Sequence, residues 1–187
     1  MNDQIRTKPI EPELAVERIT EFTPADLNDL CDAADAAIEG GGGFGWVELP
    51  SRDILERFWE GVIAMPSRML FVARLDGVIC GTCQLIKPPR NNEAQSFAIQ
   101  LKTHFVTPWA RGHGLAKMLV EQAEKAAIEE GFGVINLDVR ATMDRAIQIY
   151  GDLGFERIGT HPNYAYVDGK TVQGYYYYKV INPKIFE

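Results

Sequence analysis

Between Leu27 and Ile38 apolar residues recur at Leu27, Leu30, Cys31, Ala34 and Ile38. Side chains three and four apart share one helix face, so this spacing predicts an amphipathic helix. Its start is written in Thr23-Pro24-Ala25-Asp26. Thr23 caps, Pro24 takes the first position, and Asp26 completes a capping-box-like pair. The glycines at 40–43 end it. A second helix opens at Ser51, buries Ile54, Leu55, Phe58, Trp59 and Val62, and closes at Pro66. Ahead of both, residues 13–20 suit a first strand, and residues 1–12, with Pro9 and Pro12, read as a loose arm to a domain spanning 13–187.

The pattern then changes period. Met69–Leu75 and Val78–Ile86 are apolar, β-branched runs joined by Asp76-Gly77, the residue types a tight hairpin turn needs. A Pro-Pro-Arg-Asn-Asn loop from Pro88 precedes a third strand over Ala94–Val106. A helix is predicted from Arg111 to Glu130, with Leu115, Met118, Leu119, Ala123 and Ala126 on one face and Gly131 as its stop. Val134–Val139 is a short buried strand. Met143, Ala146, Ile147, Tyr150 and Leu153 form the next helix face, which Gly154 caps. Phe155–Gly159 and Val172–Val180 are the last strands, with Asp168-Gly169 a turn between them. The order is β, α, α, β, β, β, α, β, α, β, β. It predicts a mixed α/β domain in which an antiparallel meander is followed by a β-α-β crossover between parallel strands.

Composition narrows the function classes. The 187 residues are 46% hydrophobic and 24% charged, enough apolar content for a packed core. No apolar run is long enough to span a membrane, and the first residues show no secretory h-region, so a cytoplasmic protein is expected. The net charge of −7 argues against a general nucleic-acid binder and leans slightly towards a cationic partner. The cysteines are Cys31, Cys80 and Cys83. Cys80-Gly81-Thr82-Cys83 has CxxC spacing, but it lies in a predicted strand, where strict alternation turns the two side chains to opposite faces. Neither a redox pair nor a metal site is therefore expected from it.

The chemistry concentrates where a strand runs into a glycine-containing turn and a long helix, His104-Phe105-Val106-Thr107-Pro108-Trp109-Ala110-Arg111-Gly112-His113-Gly114-Leu115-Ala116. Helix N-termini carry unpaired N–H groups and partial positive charge. Glycine lets an anion approach that backbone, and Arg111 adds a fixed charge, so the segment predicts a pyrophosphate cradle. A dinucleotide fingerprint fails because Lys117 stands where its third glycine belongs, and no P-loop lysine motif is present. The rival reading of the turn is a glycine-softened helix cap.

The Arg111-x-x-Gly114-x-Ala116 spacing, preceded by Val106-x-Pro108, resembles motif A of the GCN5-related N-acetyltransferase (GNAT) superfamily. Ala146, Tyr150, Gly154 and Phe155 match the ending of that family's motif B. The resemblance covers about residues 68–180. The glycine-rich GGGGFGW segment and the PNYAYVDGKTVQGYYYYK tail also resemble the tabtoxin-resistance-type acetyltransferases of the superfamily. The resemblance implies a fold whose fourth and fifth strands splay apart and hold acetyl-CoA as co-substrate, with no metal. It implies that the backbone of Phe105 and Val106 meets the pantetheine arm. It also implies that Arg111, Gly112, His113, Gly114, Leu115 and Ala116 hold the pyrophosphate. Asp144 stands where the family commonly has Asn; it can accept a hydrogen bond but, ionised, cannot donate one.

Tyr150 matches the family's general acid for the departing thiolate, although it also lies on an apolar helix face where a core tyrosine is ordinary. An amine with a pKa of ~10.4 must lose a proton at a cost of about 4.6 kcal/mol at neutral pH, so a base is needed. Asp138 is the first candidate, being a charge in an apolar strand that walls the wedge; capping a turn or pairing with Arg140 is the alternative. Glu48, Glu93, His104 and His113 are weaker candidates. Of the tyrosines at 175–178, alternation lets two at most line a pocket; Phe44 and Trp46 could close over a substrate or simply anchor their loop. The glycines before them read as a flexible linker. The expected activity is direct acetyl transfer to a primary amine of a small molecule or peptide, with the oxyanion held by a backbone N–H of the fourth strand. A homodimer is compatible with the resemblance. A non-catalytic acyl-CoA-binding module and a nucleotide-binding oxidoreductase are the rivals.

Overall fold

The chain runs β1 (Leu14–Ile19), α1 (Pro24–Glu39), α2 (Arg52–Ala64), β2 (Arg68–Leu75), β3 (Val78–Ile86), β4 (Ala98–Val106), α3 (Leu115–Glu129), β5 (Val134–Arg140), α4 (Asp144–Asp152), β6 (Glu156–Val167) and β7 (Lys170–Val180). This is a computed structural model that describes residues 11–42 and 44–187; most of the expected N-terminal arm, residues 1–10, lies outside them. The strands form one sheet in the order β1-β2-β3-β4-β5-β7-β6. Every pairing is antiparallel except β4 with β5, which α3 connects. The predicted order of elements and the β-α-β crossover are both found.

Why β2 is a continuous apolar run follows from what covers the sheet. Leu70 and Val72 pack in a cluster with Leu30 of α1 and Leu55 and Trp59 of α2. Met69, Phe71 and Ala73 join the cluster on the opposite face, with Leu115, Leu119 and Ala123 of α3. A strand buried on both faces loses the polar half of its alternation.

The differences from expectation have local causes. Ile54 is 44% exposed, so the buried stripe of α2 is Leu55, Trp59 and Val62, with Phe58 half-buried. β4 begins at Ala98 rather than Ala94, because Glu93–Gln95 coils into a 3₁₀ turn. α3 begins at Leu115 rather than Arg111, because Gly112 and Gly114 have φ of +90° and +81°, which no right-handed helix accepts. β6 runs on to Val167, beyond the predicted Gly159.

The cysteine pair is also corrected. The β2–β3 register shifts between Ala73 and Arg74, so that Ala73 faces Gly81, Arg74 faces Ile79, and Cys80 is the extra residue of a bulge. The bulge resets the alternation. Cys80 and Cys83 therefore lie in the same core cluster instead of on opposite faces. Both thiols are free and buried, and burial pushes Cys80 up to about 11 and raises Cys83 as well. Neither is a thiolate at neutral pH.

The capping box at α1 is formed as predicted and extended. The Asp26 carboxylate accepts from Thr23 N at 3.0 Å and Thr23 Oγ1 at 2.7 Å, and from Arg74 of β2 at 2.8 Å. Burial alone raises its pKa, but the bonds from Thr23 and Arg74 outweigh it and hold the carboxyl below its ordinary value. Asp26→Ala is expected to destabilise the fold by about 3 kcal/mol, measured by urea unfolding, since it removes a cap and strands Arg74. The contribution is present above the unfolded carboxyl pKa of about 3.9 and fades as pH falls through the lower folded value.

Candidate active site

Three register pairs hold β4 to β5: Ala98 with Val134, Ile99 with Ile135, and Gln100 with Asn136. Beyond them the strands separate. There β4 carries Thr103 with φ +54°, and its register against β3 shifts between Thr82 and Gln84. The extra residue of such a bulge bends the strand, and here it opens a wedge towards α3 and α4. On the far side of β4, Gly81 of β3 admits the close approach; a Cβ there would lie 2.8 Å from the Phe105 carbonyl oxygen.

A cavity of about 620 Å³ occupies the α3 side of the wedge. Phe105 and Val106 form its β4 wall, Arg111, Gly112, Gly114, Leu115 and Ala116 its turn, and Asp144 lies across the gap on α4. These are all but one of the predicted cofactor residues, and the structure brings them together. His113 is exposed on the same turn and is not among the lining residues. Gly114 is the N-cap of α3 and offers no side-chain cap, so the first-turn N–H groups are left for an outside acceptor. A Cβ built on Gly112 or Gly114 would meet nothing within 4 Å, so the space over the turn is open. Uncapped N–H groups, an adjacent arginine and a cavity that also takes in Phe105 and Val106 of β4 fit a cofactor that has a pyrophosphate and a long arm.

A second cavity, about 510 Å³, lies on the other side of the junction and shares His104, Gly42, Met143 and Ala146 with the first. Asp138 of β5 stands at its floor. One carboxylate oxygen accepts from Lys102 of β4 and the other from the Tyr164 hydroxyl. The Lys102–Asp138 pair has a simple origin. Continuing the β4–β5 register two positions past Gln100–Asn136 brings these two residues face to face, and there the ion pair spans the gap that backbone bonds no longer cross. Asn136, Asp138 and Arg140 alternate onto one face of β5. Arg140 donates to the Gly41 carbonyl at 3.2 Å, tying the glycine-rich loop to the site.

Tyr150 is buried in the core and also lines the second cavity. Its ring is 5% exposed and packs against Phe155 and Tyr177. Its hydroxyl lies 2.9 Å from His104 Nδ1, while His104 Nε2 lies 2.9 Å from the Ala116 carbonyl oxygen. A carbonyl only accepts, so Nε2 carries the imidazole proton and Nδ1 accepts from the Tyr150 O–H. Burial lowers the His104 pKa to about 4 and raises that of the Tyr150 phenol. At neutral pH the pair is therefore a neutral imidazole and an intact phenol, held where the two cavities meet.

Several expectations are redistributed. Glu48 is exposed, Glu93 lies in the 3₁₀ turn, and neither lines the cavities. Tyr164 and Tyr166 line the second cavity, whereas the tyrosines at 175–178 do not. The glycine-rich loop is more than a linker, since Gly42 lines both cavities. Phe44 and Trp46 anchor their loop and also line the second cavity. Phe44 stacks on Phe105 with ring centroids 5.1 Å apart, and Phe105 itself belongs to the same α1–α2 core. Sequence reading passed over Lys102, and strand alternation could not have placed it, because the β4 irregularity at Thr103 lies between it and His104. Among the described residues no group of three or more His, Cys, Asp or Glu could hold a metal ion.

Comparison with known proteins agrees with this geometry. A family model described as "Acetyltransferase (GNAT) family" matches residues 33–155. An uncharacterized N-acetyltransferase in the hisH-hisA intergenic region of Azospirillum brasilense is 58% identical over 133 residues, 71% of this chain and 79% of that one. An N-acetyltransferase from Staphylococcus aureus Mu50 superposes with a TM-score of 0.77 at 18% identity, covering 91% of this chain and 99% of its own. The yncA protein of Salmonella typhimurium, solved with its cofactor acetyl-CoA, superposes with a TM-score of 0.74 at 14% identity, covering 90% and 94%. At these identities the two structures speak to the fold alone.

Proposed function

The chain belongs to the acetyltransferase (GNAT) family, and on that premise we propose that it transfers the acetyl group of acetyl-CoA directly to a primary amine of a small molecule or peptide. The reading is carried by one observation: the β4–β5 wedge joins an uncapped helix N-terminus to a second cavity, and the Tyr150 hydroxyl stands at the junction.

Acetyl-CoA supplies an acyl group on a thiol leaving group; overall a C–N bond replaces a C–S bond, and a proton passes from nitrogen to sulfur. The α3 N-terminus and Arg111 bind the pyrophosphate, and Phe105 and Val106 align the arm along β4. Tyr150 stays protonated because its burial disfavours the phenolate; its O–H, donated to His104 Nδ1 beside the junction, turns from that acceptor to the departing sulfur. His104 orients that hydroxyl. Asp138 receives the proton of the amine, directly or through water, using lone pairs that its bonds to Lys102 and Tyr164 leave open. The Phe44–Trp46 loop closes the acceptor side against water.

Calorimetric titration with acetyl-CoA, with NAD and ATP in parallel, is the direct test. Saturable binding of acetyl-CoA alone is expected, followed by thiol release when an acceptor amine is added. No binding would sink the reading, and binding without turnover on any amine would leave a non-catalytic acyl-CoA module.

A further inference from the structure

The charge of the acceptor cavity is opposite in sign to that of the protein. The chain as a whole is −7. The charged residues lining the second cavity are Lys102, Arg140 and Asp138, two cations against one carboxylate. His104, the remaining ionisable base on its wall, is neutral above about pH 4. Charges that line a concave, partly desolvated site act more strongly on a ligand than distant surface charges, which are screened within about 10 Å of solvent. The local sign therefore outweighs the global one in choosing the acceptor.

The placement of these charges says more. Both oxygens of Asp138 are engaged, one by Lys102 and one by Tyr164. The floor thus offers one carboxylate, whose remaining lone pairs can meet a single amine but supply no further counter-charge for a polyamine carrying several positive charges. Asp138 and Arg140 lie two residues apart on one face of β5, about 7 Å along the strand. An ammonium set against the first and an anion against the second would span that distance in a molecule of amino-acid size. A guanidinium is suited to the second task, since its planar donors match a carboxylate. The remaining wall is aromatic, with Phe44, Trp46, Tyr164 and Tyr166.

We propose that the acceptor is an amine that also carries a carboxylate, an amino-acid-like zwitterion whose amine faces Asp138 and whose anionic end is held by Arg140 with Lys102 beside it. This rests on the acetyltransferase reading above and names the substrate class of the same site. The reacting nitrogen forms its bond to the acetyl carbon as the C–S bond breaks, and its proton leaves through Asp138. The carboxylate takes no part in bond making and serves to fix the amine.

The test is acetyl transfer followed by thiol release, after calorimetry has established acetyl-CoA binding. The probes are the common α-amino acids, β-alanine and 4-aminobutyrate, each paired with its primary amide, together with spermidine. The best acid is expected to exceed its own amide in kcat/KM by about 10-fold or more, and spermidine to be a poor acceptor. Arg140→Gln is expected to collapse that acid-to-amide ratio towards one, chiefly through KM for the acid, while acetyl-CoA still binds. Lys102→Met provides a second variant should Arg140→Gln not fold. Equal or faster turnover of the amides or of spermidine would overturn the proposal. So would failure of every carboxylated amine with acetyl-CoA binding intact, or an acid-to-amide ratio unchanged in both variants. Absence of acetyl-CoA binding would instead remove the acetyltransferase reading itself, and this proposal with it.

Discussion

Tyr150→Phe is expected to lower kcat by about 100-fold or more while leaving the Kd for acetyl-CoA within about twofold. The substitution removes one hydroxyl and keeps the ring, so the contacts with Phe155 and Tyr177 that seat α4 on the sheet are retained. What is lost is the donor to His104 Nδ1 and the proton at the meeting point of the two cavities. Leaving Nδ1 unpaired costs stability of about 1 kcal/mol, too little to unfold a domain of this size. A tyrosine that served only the core would lose that stability and nothing in kcat. Steady-state thiol release together with calorimetry separates the two cases. The pH profile gives a second check. His104 is depressed to about 4 by burial, so kcat/KM should show no inflection at the ordinary histidine pKa near 6.5. Below neutrality it should instead rise with pH, as the acceptor amine loses its proton.

The same residues show how far sequence carries. The order of elements was legible because each helix is periodic and each hairpin turn is marked, as with Asp76 and Gly77, whose φ of +51° and +84° match the turn expected of that pair. The turn proposed to hold the cofactor was legible because its features are local: glycines, an arginine and a helix start fall within six residues. Of the second cavity only separate members were legible, Asp138, Tyr150, Phe44 and Trp46, because the cavity is assembled across the sheet. Lys102 and Asp138 are 36 residues apart and meet only through the parallel β4–β5 register. Tyr164 reaches Asp138 from β6, 26 residues on. Bulges were invisible for a related reason. Thr103 in β4 and Cys80 in β3 are ordinary strand residues, and only pairing with a neighbour reveals the extra position. The slight lean towards a cationic acceptor came from net charge, which averages over the whole surface and carries no information on the two cations and one carboxylate that line the second cavity.

The turn before α3 supplies the second large effect. Gly114→Val is expected to weaken acetyl-CoA binding by about 100-fold or more, from two causes that act together. Gly114 holds φ +81°, where an L residue is strained by about 1–2 kcal/mol and a β-branched one by more. Relief of that strain rotates the first-turn N–H groups away from the direction in which an anion would meet them. The valine methyls also enter space that is now empty, since a Cβ at this position meets nothing within 4 Å. Gly114→Ala separates the causes: it keeps most of the backbone strain with little bulk, and an intermediate loss of affinity is expected. The melting temperature should fall by only a few degrees in either variant, because the turn is exposed and 1 kcal/mol shifts a domain of this length by about 2–4 °C. Arg111→Gln is expected to cost less, about 10-fold, and to reduce the salt dependence of binding, because its charge acts through solvent while the N–H groups contact the ligand directly. A folded Gly114→Val protein with unchanged acetyl-CoA affinity would reduce the Arg111–Ala116 segment to a helix cap. The wedge between β4 and β5 would then need another explanation.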